Sequence, residues 1–284
     1  MKVSVFMLAY NHERFIAEAL DSALMQKTTF DFEIVVGEDC SLDSTRRIVE
    51  EYALRYPKRV RLVLHESNVG MQRNFIDTLN ACSGQYIAFL EGDDFWTSED
   101  KLQRQADFLD DNPDFVTCSH SVRAVNSDGQ QLYITKSDPR IDVSLRQVIE
   151  YRYPLPTCGV MSRKDLVPVL PPWFYEVLHC DYAVQLLLAR HGKVHYMADV
   201  MGAYRKHGGG VSDSTSQEYQ LDKLMFLFRE VMREIEPEYH ASIRRRLASC
   251  HRSKTKYALQ RGEWRQSLAH AAKYGLFYSS SVLR

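Results

Sequence analysis

The sequence lacks any apolar run that approaches the roughly 20 residues a membrane-spanning helix needs. It begins with MKVSVFMLAYNHERF, in which the apolar run is too short for a secretory signal and charged residues follow closely. The 6 cysteines lie far apart and form no Cys-x-x-Cys pair, which argues against a zinc site of cysteine pairs. These absences lead us to expect free thiols in a reducing cytoplasm.

The sequence also has almost no excess charge of either sign, with 36 Lys or Arg and 37 Asp or Glu. This balance argues against nucleic acid as a partner of the whole chain. Residues 240–284, however, hold ten basic residues and a single acid, Glu263. The ten are Arg244, Arg245, Arg246, Arg252, Lys254, Lys256, Arg261, Arg265, Lys273 and Arg284. Because anionic lipid attracts such a region, we expect peripheral binding at the inner face of the cell membrane; a solvated helix face is the alternative.

Apolar residues over the first 120 positions alternate between short continuous runs and segments of helical spacing. The runs, at 3–8, 32–37, 59–65, 85–90 and 115–120, are typical of strands buried on both faces. Strands separated by amphipathic helices predict an α/β fold with a mainly parallel central sheet flanked by helices. After residue 217 the pattern is helical throughout, which predicts a C-terminal helical extension.

Polar residues follow three of these predicted strands. Tyr10 and Asn11 come after the first, Glu38 and Asp39 after the second, and the stretch EGDD, residues 91–94, after the fourth. In parallel sheets, ligands bind beyond the carboxyl ends of the strands, so we expect these residues to meet at one edge. The edge is therefore the predicted ligand site.

The stretch YIAFLEGDDFW delivers three acids, Glu91, Asp93 and Asp94, at the end of a buried strand. Crowded carboxylates raise one another's pKa unless a positive charge lies between them. Mg²⁺ or Mn²⁺ takes oxygen ligands and often bridges carboxylates to substrate phosphates. The cluster indicates a divalent-cation site, and a helix start with solvated carboxylates is the alternative.

Four blocks of the sequence, in their order and spacing, resemble the family 2 glycosyltransferases of the GT-A fold that build bacterial surface polysaccharides. They are VSVFMLAYNHERFIAEALDSAL, FEIVVGEDCSLDSTRRIVEEYA, NVGMQRNF and GQYIAFLEGDDFW. The resemblance implies a GT-A catalytic domain over residues 1–212, with a nucleotide-sugar-binding half at 1–120 and an acceptor-binding half at 121–212. The basic helical region then occupies residues 213–284.

The resemblance also implies roles for residues near the nucleobase of the donor. A nucleobase would lie against Ala9, Tyr10 and Asn11, and Asp39 would pair with the edge of uracil. Cys40 stands where the family usually has Gly, so the local turn is expected to differ.

By the same resemblance, Asp94 coordinates the metal and Asp93 reaches the ribose of the donor. Asn68, Gly70 and Arg73 of NVGMQRNF would lie near the donor, with Arg73 a candidate for phosphate contact. A surface ion pair is the alternative for Arg73.

The stretch YRKHGGGVS matches a Tyr-Arg-x-His block of the family. Arg205 and His207 are thereby candidates for phosphate contact, and His207 also for the metal. A basic loop rich in glycine can fold over a diphosphate and exclude water, whereas a solvated linker is the alternative.

The resemblance makes Asp181, at the start of the helix DYAVQLLLARHG, the general base. An Asp in a first helical turn is also favoured by the helix dipole alone. Trp96 and Trp173 would stack on acceptor sugar rings, whose apolar faces suit aromatics, and core packing is their alternative.

Taken together, these assignments predict an inverting hexosyl- or N-acetylhexosaminyltransferase. It would move a sugar from a nucleoside diphosphate donor, most readily a UDP-sugar, to a hydroxyl of a glycan or lipid-linked glycan. Mn²⁺ or Mg²⁺ would offset the charge that develops on the leaving diphosphate. A nucleotidyltransferase of related fold and a non-catalytic nucleotide-sugar-binding module are the alternatives.

Overall fold

The computed structural model describes residues 1–135, 142–151, 155–167, 169–210 and 214–282. Its strands are β1 Val3–Ala9, β2 Phe32–Glu38, β3 Val60–Leu64, β4 Tyr86–Glu91, β5 Phe95–Trp96, β6 Phe115–Asn126, β7 Gln131–Ile134, β8 Asp142–Val143, β9 Met161–Arg163 and β10 Lys193–Lys206. Its α-helices are α1 Ile16–Leu24, α2 Thr45–Arg55, α3 Met71–Ala81, α4 Lys101–Asp111, α5 Leu145–Tyr151, α6 Cys180–Leu188, α7 Gln217–Glu234, α8 His240–Gln260 and α9 Trp264–Val282. Short 3₁₀ turns occupy Thr157–Gly159, Pro172–Glu176 and Pro237–Tyr239.

The strands form a single sheet in the order β3-β2-β1-β4-β9-β6-β10-β5, with β7 paired to β6 and β8 to β10. The first four strands of this order run parallel to one another, as do β6 and β10. Strand β9 lies antiparallel between β4 and β6, so the sheet is mixed beyond β4. The predicted α/β fold, with a central sheet flanked by helices, is confirmed.

Burial on both faces explains why the apolar runs become strands. Every residue of β1 and β2 is buried, as the continuous apolar runs predict. On one face of the sheet, Phe6 packs with its ring centroid 4.7 Å from Phe75 of α3 and 5.2 Å from Phe89 of β4. On the other face, Val5 belongs to a core cluster that includes Ile16 of α1. Alternation along the strands therefore supplies apolar side chains to helices on both sides.

The chain folds into two compact units. The first comprises Met1–Val143, Pro154–Leu170 and His191–His207, and it contains every strand described above. The second comprises Ser144–Tyr153, Pro171–Arg190 and Gly208–Arg284. Helices α1 to α4 belong to the first unit, and α5 to α9 belong to the second. The boundary between residues 212 and 213 that the sequence suggests stays a prediction.

Two expectations about composition can be compared with the fold. All six cysteines are free thiols, and five of them are buried. Among the described helices, none combines the length and the apolar character that crossing a membrane requires.

Candidate functional site

The loops that follow β1 and β2 meet at one edge of the sheet and are tied together by hydrogen bonds. The backbone N–H of Asp39 donates to the Ala9 carbonyl at 3.1 Å, and the N–H of Asn11 donates to Ser41 Oγ at 3.0 Å. Asn11 Oδ1 accepts in turn from the N–H of Leu42 at 2.8 Å. The two loops therefore converge as the parallel topology predicts.

Asp39, the residue expected to pair with uracil, is anchored by the segment that precedes α3. Its carboxylate accepts hydrogen bonds from the backbone N–H groups of Val69 at 2.7 Å and Gly70 at 3.0 Å. The Asn68 side chain donates to the Asp39 carbonyl at 3.2 Å. Gly70 has φ of +86°, a left-handed conformation that favours glycine. Asn68 and Gly70 thus lie directly beside Asp39, while its contact with a base stays a prediction.

The three residues expected against the nucleobase differ in exposure. Tyr10 is 40% exposed, and Asn11 is exposed as well. Ala9 is only 1% exposed and belongs to the hydrophobic core. The side chain of Ala9 follows the alternation of β1 into the core and its carbonyl accepts from Asp39, while contact of this loop with a nucleobase stays a prediction.

The turn at Cys40 keeps a glycine-like backbone although the residue is cysteine. Cys40 has φ of +56°, in the left-handed region that costs an ordinary L-residue about 1–2 kcal/mol. Asn11, in the loop facing it, has the same φ of +56°. Cys40 therefore adopts a conformation that glycine would accept more readily, and a difference of this turn from that of the family stays a prediction.

Glu38 is buried and holds the loops at this edge together by hydrogen bonds. Its side chain is 0% exposed, and it accepts hydrogen bonds from the Ser41 N–H at 2.6 Å and from Arg46 Nε at 2.5 Å. Arg46 also donates to the carbonyl of His65 at 2.5 Å. Glu38 is thus committed to the protein interior, and the role of Asp39 toward a ligand stays a prediction.

Asp93 lies between two imidazoles. His207 Nε2 is 2.9 Å from Asp93 Oδ2, and His12 Nε2 is 3.9 Å from the same oxygen. Burial by itself raises the pKa of Asp93, but the hydrogen bond with His207 and the nearby imidazoles outweigh it, so the pKa is lowered. Burial lowers the pKa of His12, while the charge of Asp93 opposes that effect. The cluster therefore favours an ionised Asp93.

A divalent cation fits Asp93 and His207 by the chemistry of their donor atoms. A carboxylate oxygen and an imidazole nitrogen already face each other, and both are ligands that Mn²⁺ accepts. Within the described residues, no group of three or more His, Cys, Asp or Glu is arranged to hold a metal. A cation here would accordingly take its remaining ligands from water and from a diphosphate.

Asp94, the residue expected to coordinate the metal, is enclosed instead. It is 2% exposed, and its Oδ1 accepts a hydrogen bond from the backbone N–H of Arg205 at 2.8 Å. Burial, and then the neighbouring Asp93, raise the pKa of Asp94 well above its usual range. Asp94 therefore ties the turn after β4 to β10, and its coordination of a metal, like the contact of Asp93 with ribose, stays a prediction.

Arg205 holds the segments around it together by hydrogen bonds, and its expected contact with phosphate stays a prediction. Its Nε donates to the Asp93 carbonyl at 2.9 Å, its Nη2 to Glu18 at 2.5 Å and its Nη1 to the Ser127 carbonyl at 3.4 Å. The guanidinium carbon lies 4.7 Å from the ring centroid of Phe15, and the whole residue is 5% exposed. All three guanidinium nitrogens are thus committed within the protein. Residues 211–213 of the expected mobile loop lie outside the described residues.

Trp96 packs in the core. It is 2% exposed, and its Nε1 donates to the carbonyl of Cys158 at 2.7 Å. The Nζ atom of Lys101 lies 3.9 Å from the centroid of the indole ring system. The core packing that the sequence leaves open is therefore present for Trp96, and acceptor stacking stays a prediction.

Arg73 lies on the exposed side of α3. Its Nε is 2.7 Å from Asp77 Oδ2, and the Arg73 side chain is 55% exposed. The surface ion pair that the sequence leaves open is therefore present, and a contact with phosphate stays a prediction.

The remaining predicted residues belong to the second unit. Asp181 is half-buried in the first turn of α6, as the sequence predicts for its helical position. Trp173 lies in the 3₁₀ turn Pro172–Glu176, is half-buried, and donates from Nε1 to Glu234 Oε1 at 3.3 Å. Their roles as base and acceptor platform stay predictions.

Sequence reasoning misses two residues of the first unit, His12 and Glu18. His12 is the second imidazole beside Asp93, and its Nδ1 is a buried atom without a hydrogen-bond partner among the described residues. Glu18 binds the guanidinium of Arg205 from α1. The position of His12 just after the first strand is a signal that could have placed it at the sheet edge.

Comparison with known proteins agrees with this geometry. The family described as Glycosyl transferase family 2 matches residues 4–166. An uncharacterized protein of Mycobacterium tuberculosis is 33% identical over 210 residues, which is 74% of this chain and 60% of that protein. The chain therefore spans about three fifths of the length of that relative.

Two glycosyltransferases of solved structure share the fold. The structure of S. aureus TarS 1-349 in complex with UDP-GlcNAc has a TM-score of 0.73 at 20% identity, covering 96% of this chain and 80% of that one. The mannosyltransferase PcManGT from Pyrobaculum calidifontis, in complex with GDP-Man and Mn²⁺, has a TM-score of 0.62 at 16% identity, covering 99% and 84%. At this level of identity the likeness concerns the architecture.

Proposed function

This chain belongs to glycosyl transferase family 2 and has the GT-A fold, and we propose that it transfers a sugar from a nucleoside diphosphate to a hydroxyl group. The observation that carries the proposal is the pair of Asp93 and His207, whose Oδ2 and Nε2 atoms lie 2.9 Å apart. The pair belongs to the same unit as the nucleobase loops at Asn11 and Asp39. A cation ligand set and a base-binding edge in one unit suit a nucleotide sugar.

The proposed donor is a UDP-sugar. Asp39 already accepts two backbone hydrogen bonds, but a carboxylate has about four lone-pair sites, so it can accept one more from the N3–H of uracil. Tyr10, at 40% exposure, offers a ring face to the base. The complex of TarS with UDP-GlcNAc supports this class of donor. Because PcManGT is in complex with GDP-Man, GDP-sugars are the second class of donor to test.

Asp93 and His207 are the proposed ligands of Mn²⁺ or Mg²⁺. When bound, the cation would act as a Lewis acid toward the leaving diphosphate. The residues around it hold this pair in place, since Asp94 and Arg205 fix the backbone on either side. The Mn²⁺ in the PcManGT complex supports a cation in a protein of this fold.

Asp181 is the proposed general base. In an inverting transfer, the acceptor oxygen forms a bond to the anomeric carbon as the bond from that carbon to the diphosphate breaks. Asp181 would take the proton from the acceptor hydroxyl during this step. Its half-buried place in the first turn of α6 supports this role, because part of the residue stays accessible to solvent.

The proposed acceptor is a glycan or lipid-linked glycan, and the transferred group is a hexose or an N-acetylhexosamine. Trp173 keeps a partly exposed ring that could lie against an acceptor sugar. The free thiols support a reducing cytoplasm as the place of action. The basic C-terminal helices support a peripheral position at the inner face of the cell membrane.

A panel of UDP- and GDP-sugars tests this function. The purified chain is incubated with each donor and Mn²⁺, and release of the nucleoside diphosphate is measured with and without EDTA. We expect metal-dependent release from one UDP-sugar, restored when Mn²⁺ is added back. Glu51→Gln, which changes an exposed pair with Arg47 on α2, serves as the matched control. Release that is unchanged in EDTA would contradict the role of the cation.

A further inference from the structure

Helix α9 packs on α8 through one face only. The Nδ1 atoms of His251 on α8 and His270 on α9 are 3.2 Å apart, and the His251 ring stacks on Phe277 with centroids separated by 5.6 Å. Ser267 is buried and Tyr274 is half-buried. These residues of α9 recur every three or four positions, so they define its inner face.

The opposite face of α9 is apolar and open. Trp264, Leu268, Ala272 and Leu276 follow one another at intervals of four residues. Trp264 is 67%, Leu268 71% and Leu276 70% exposed. At 1.5 Å per residue the row extends for about 18 Å along the helix. We call these four residues the outer row; large apolar side chains exposed in such a row mark an interaction surface.

Basic residues border the outer row. Arg265 and Lys273 are exposed on α9, and Arg252 and Lys256 are exposed on α8. Within the described part of the chain, none of these four cations has an ion-pair partner. The only acid of the region, Glu263, is already paired with Arg261 at 2.7 Å. The surface therefore combines exposed apolar groups with uncompensated positive charge.

Arg252 and Lys256 also line an open groove between α8 and α9. Its volume is about 360 Å³, and its apolar walls include Leu259, Ala271 and Tyr274. The stems of Arg and Lys can lie along such apolar walls while their charged ends reach an anionic group. The groove therefore extends the apolar and basic character from the outer row to the neighbouring helix.

This combination fits an anionic lipid surface better than other partners. A second copy of the chain, docked symmetrically, would bring the same cations against each other. A nucleic acid would use the charge but leave the outer row without a role. A helix that lies in the plane of a membrane interface needs both an apolar face and flanking cations.

We propose that the outer row of α9 inserts into the interfacial layer of a membrane that carries anionic lipids, with Arg252, Lys256, Arg265 and Lys273 at the headgroups. The proposal rests on the proposed peripheral location and not on the transfer reaction. The helix would lie in the plane of the membrane, because it is not suited to spanning one. The surface would thus be an anchor separate from the donor site.

Vesicle co-sedimentation of the whole chain tests the apolar part of this anchor. Vesicles of phosphatidylcholine alone are compared with vesicles that also contain phosphatidylglycerol. We expect wild-type protein to sediment with the anionic vesicles, and the double variant Leu268→Ser, Leu276→Ser to lose most of that binding. The matched control is Leu54→Ser, Val169→Ser, which alters side chains that are 83% and 97% exposed elsewhere. Equal binding by both double variants, or no binding by wild type, would overturn the proposal.

The charged part has its own comparison. Replacing Arg265 or Lys273 by Gln is expected to lower the partition coefficient about fivefold per residue, and salt should reduce the effect. Lys27→Gln and Arg47→Gln, at exposed cations of the first unit, should leave the partition unchanged. Wild-type binding of equal strength to neutral and anionic vesicles would overturn the proposal.

Fluorescence reports directly on insertion. Trp264 is exposed, so burial in lipid should shift its emission to the blue on addition of anionic vesicles, and Trp264→Phe should remove that shift. An unchanged spectrum for vesicle-bound wild-type protein would overturn insertion of the outer row. Nucleoside diphosphate release without vesicles is measured on the same preparations, so failure of the anchor and failure of the proposed function are distinguished.

Discussion

His207 and Asp93 are hydrogen-bonded at 2.9 Å although 114 positions separate them in the sequence. Their proximity arises from the strand pairing, because β10 runs antiparallel to β5 immediately after the Asp93 turn. Arg205, two residues before His207, binds the backbone of that same turn. The fold thus places a carboxylate and an imidazole side by side before any ligand arrives, and the first prediction depends on this pair.

Asp93→Asn should weaken Mn²⁺ binding and lower turnover by more than about 100-fold, since residues that merely orient metal ligands are worth about 10- to 100-fold. The amide is a neutral and weaker ligand than the carboxylate. Mn²⁺ affinity is measured by calorimetry in the presence of UDP, together with nucleoside diphosphate release. Glu51→Gln is the control. Wild-type Mn²⁺ affinity in Asp93→Asn would refute the assignment.

Asp94 should respond differently to the same change. Asp94→Asn keeps an oxygen that can accept the Arg205 N–H, so folding and Mn²⁺ affinity should remain close to wild type. Asp94→Ala should lower the free energy of unfolding by about 1–3 kcal/mol, because the buried N–H loses its acceptor. Urea denaturation and calorimetry measure the two quantities. A loss of Mn²⁺ affinity in a well-folded Asp94→Asn protein would contradict this prediction and would indicate that Asp94 is a metal ligand.

Asp181→Asn should abolish most sugar transfer while leaving donor binding intact. The amide cannot take a proton from the acceptor hydroxyl, and general base catalysis typically contributes about 10²- to 10⁴-fold. The UDP-sugar dissociation constant and the turnover number are measured separately. Asp165→Asn, at an acid of the first unit outside the proposed sites, is the comparison variant. Full turnover by Asp181→Asn would remove this residue from the mechanism.

Lys101 should make stability increase with pH just above neutrality. Burial lowers the pKa of Lys101 from 10.5 to about 7, and its Nζ has no hydrogen-bond partner among the described residues. Between pH 7 and 10.5 the unfolded chain therefore binds more protons than the folded one, so unfolding becomes less favourable as pH rises. Below pH 7 both states are protonated and this contribution to the slope vanishes.

The measurement is urea denaturation in small steps upward from pH 7. The range stays below the ordinary thiol pKa of 9.0, above which the raised pKa values of buried Cys82 and Cys118 would oppose the slope from Lys101. The slope from Lys101 is at most about 1.4 kcal/mol per pH unit. Lys101→Met should remove this slope, whereas Lys27→Met, at an exposed lysine, should retain it. An equal slope in wild type and Lys101→Met would contradict the lowered pKa.

Apolar periodicity was sufficient to predict the sheet edge. The runs that became β1, β2 and β4 are continuous, and their ends carry the polar residues Asn11, Asp39 and Asp93. The order of strands beyond β4 could not be predicted, because β9 is three residues long and lies between strands that are distant in sequence. Short strands carry too little pattern to be placed without the tertiary contacts.

Which of the two aspartates of EGDD is enclosed could not be predicted either. Asp93 and Asp94 are adjacent and chemically identical, so only the backbone decides which one is enclosed. The same limit applies to Arg205, because its hydrogen bonds with Glu18 and the Ser127 carbonyl depend on the tertiary structure. The burial of Trp96 could not be predicted for another reason. It depends on contacts with Cys158 and Lys101, and neither residue is adjacent to Trp96 in the sequence.

The hydrogen bonds of the Arg205 guanidinium have a consequence for the entropy of ligand binding. Because its guanidinium joins α1, the Asp93 turn and the end of β6, the backbone next to His207 is immobilised when the chain folds. The loss of conformational freedom is then complete before a cation or a diphosphate arrives. The affinity of a ligand for such a pre-organised site is reduced less by the entropic cost of ordering the protein. Weakening the contacts of Arg205 would therefore lower the affinity of ligands that Arg205 does not contact.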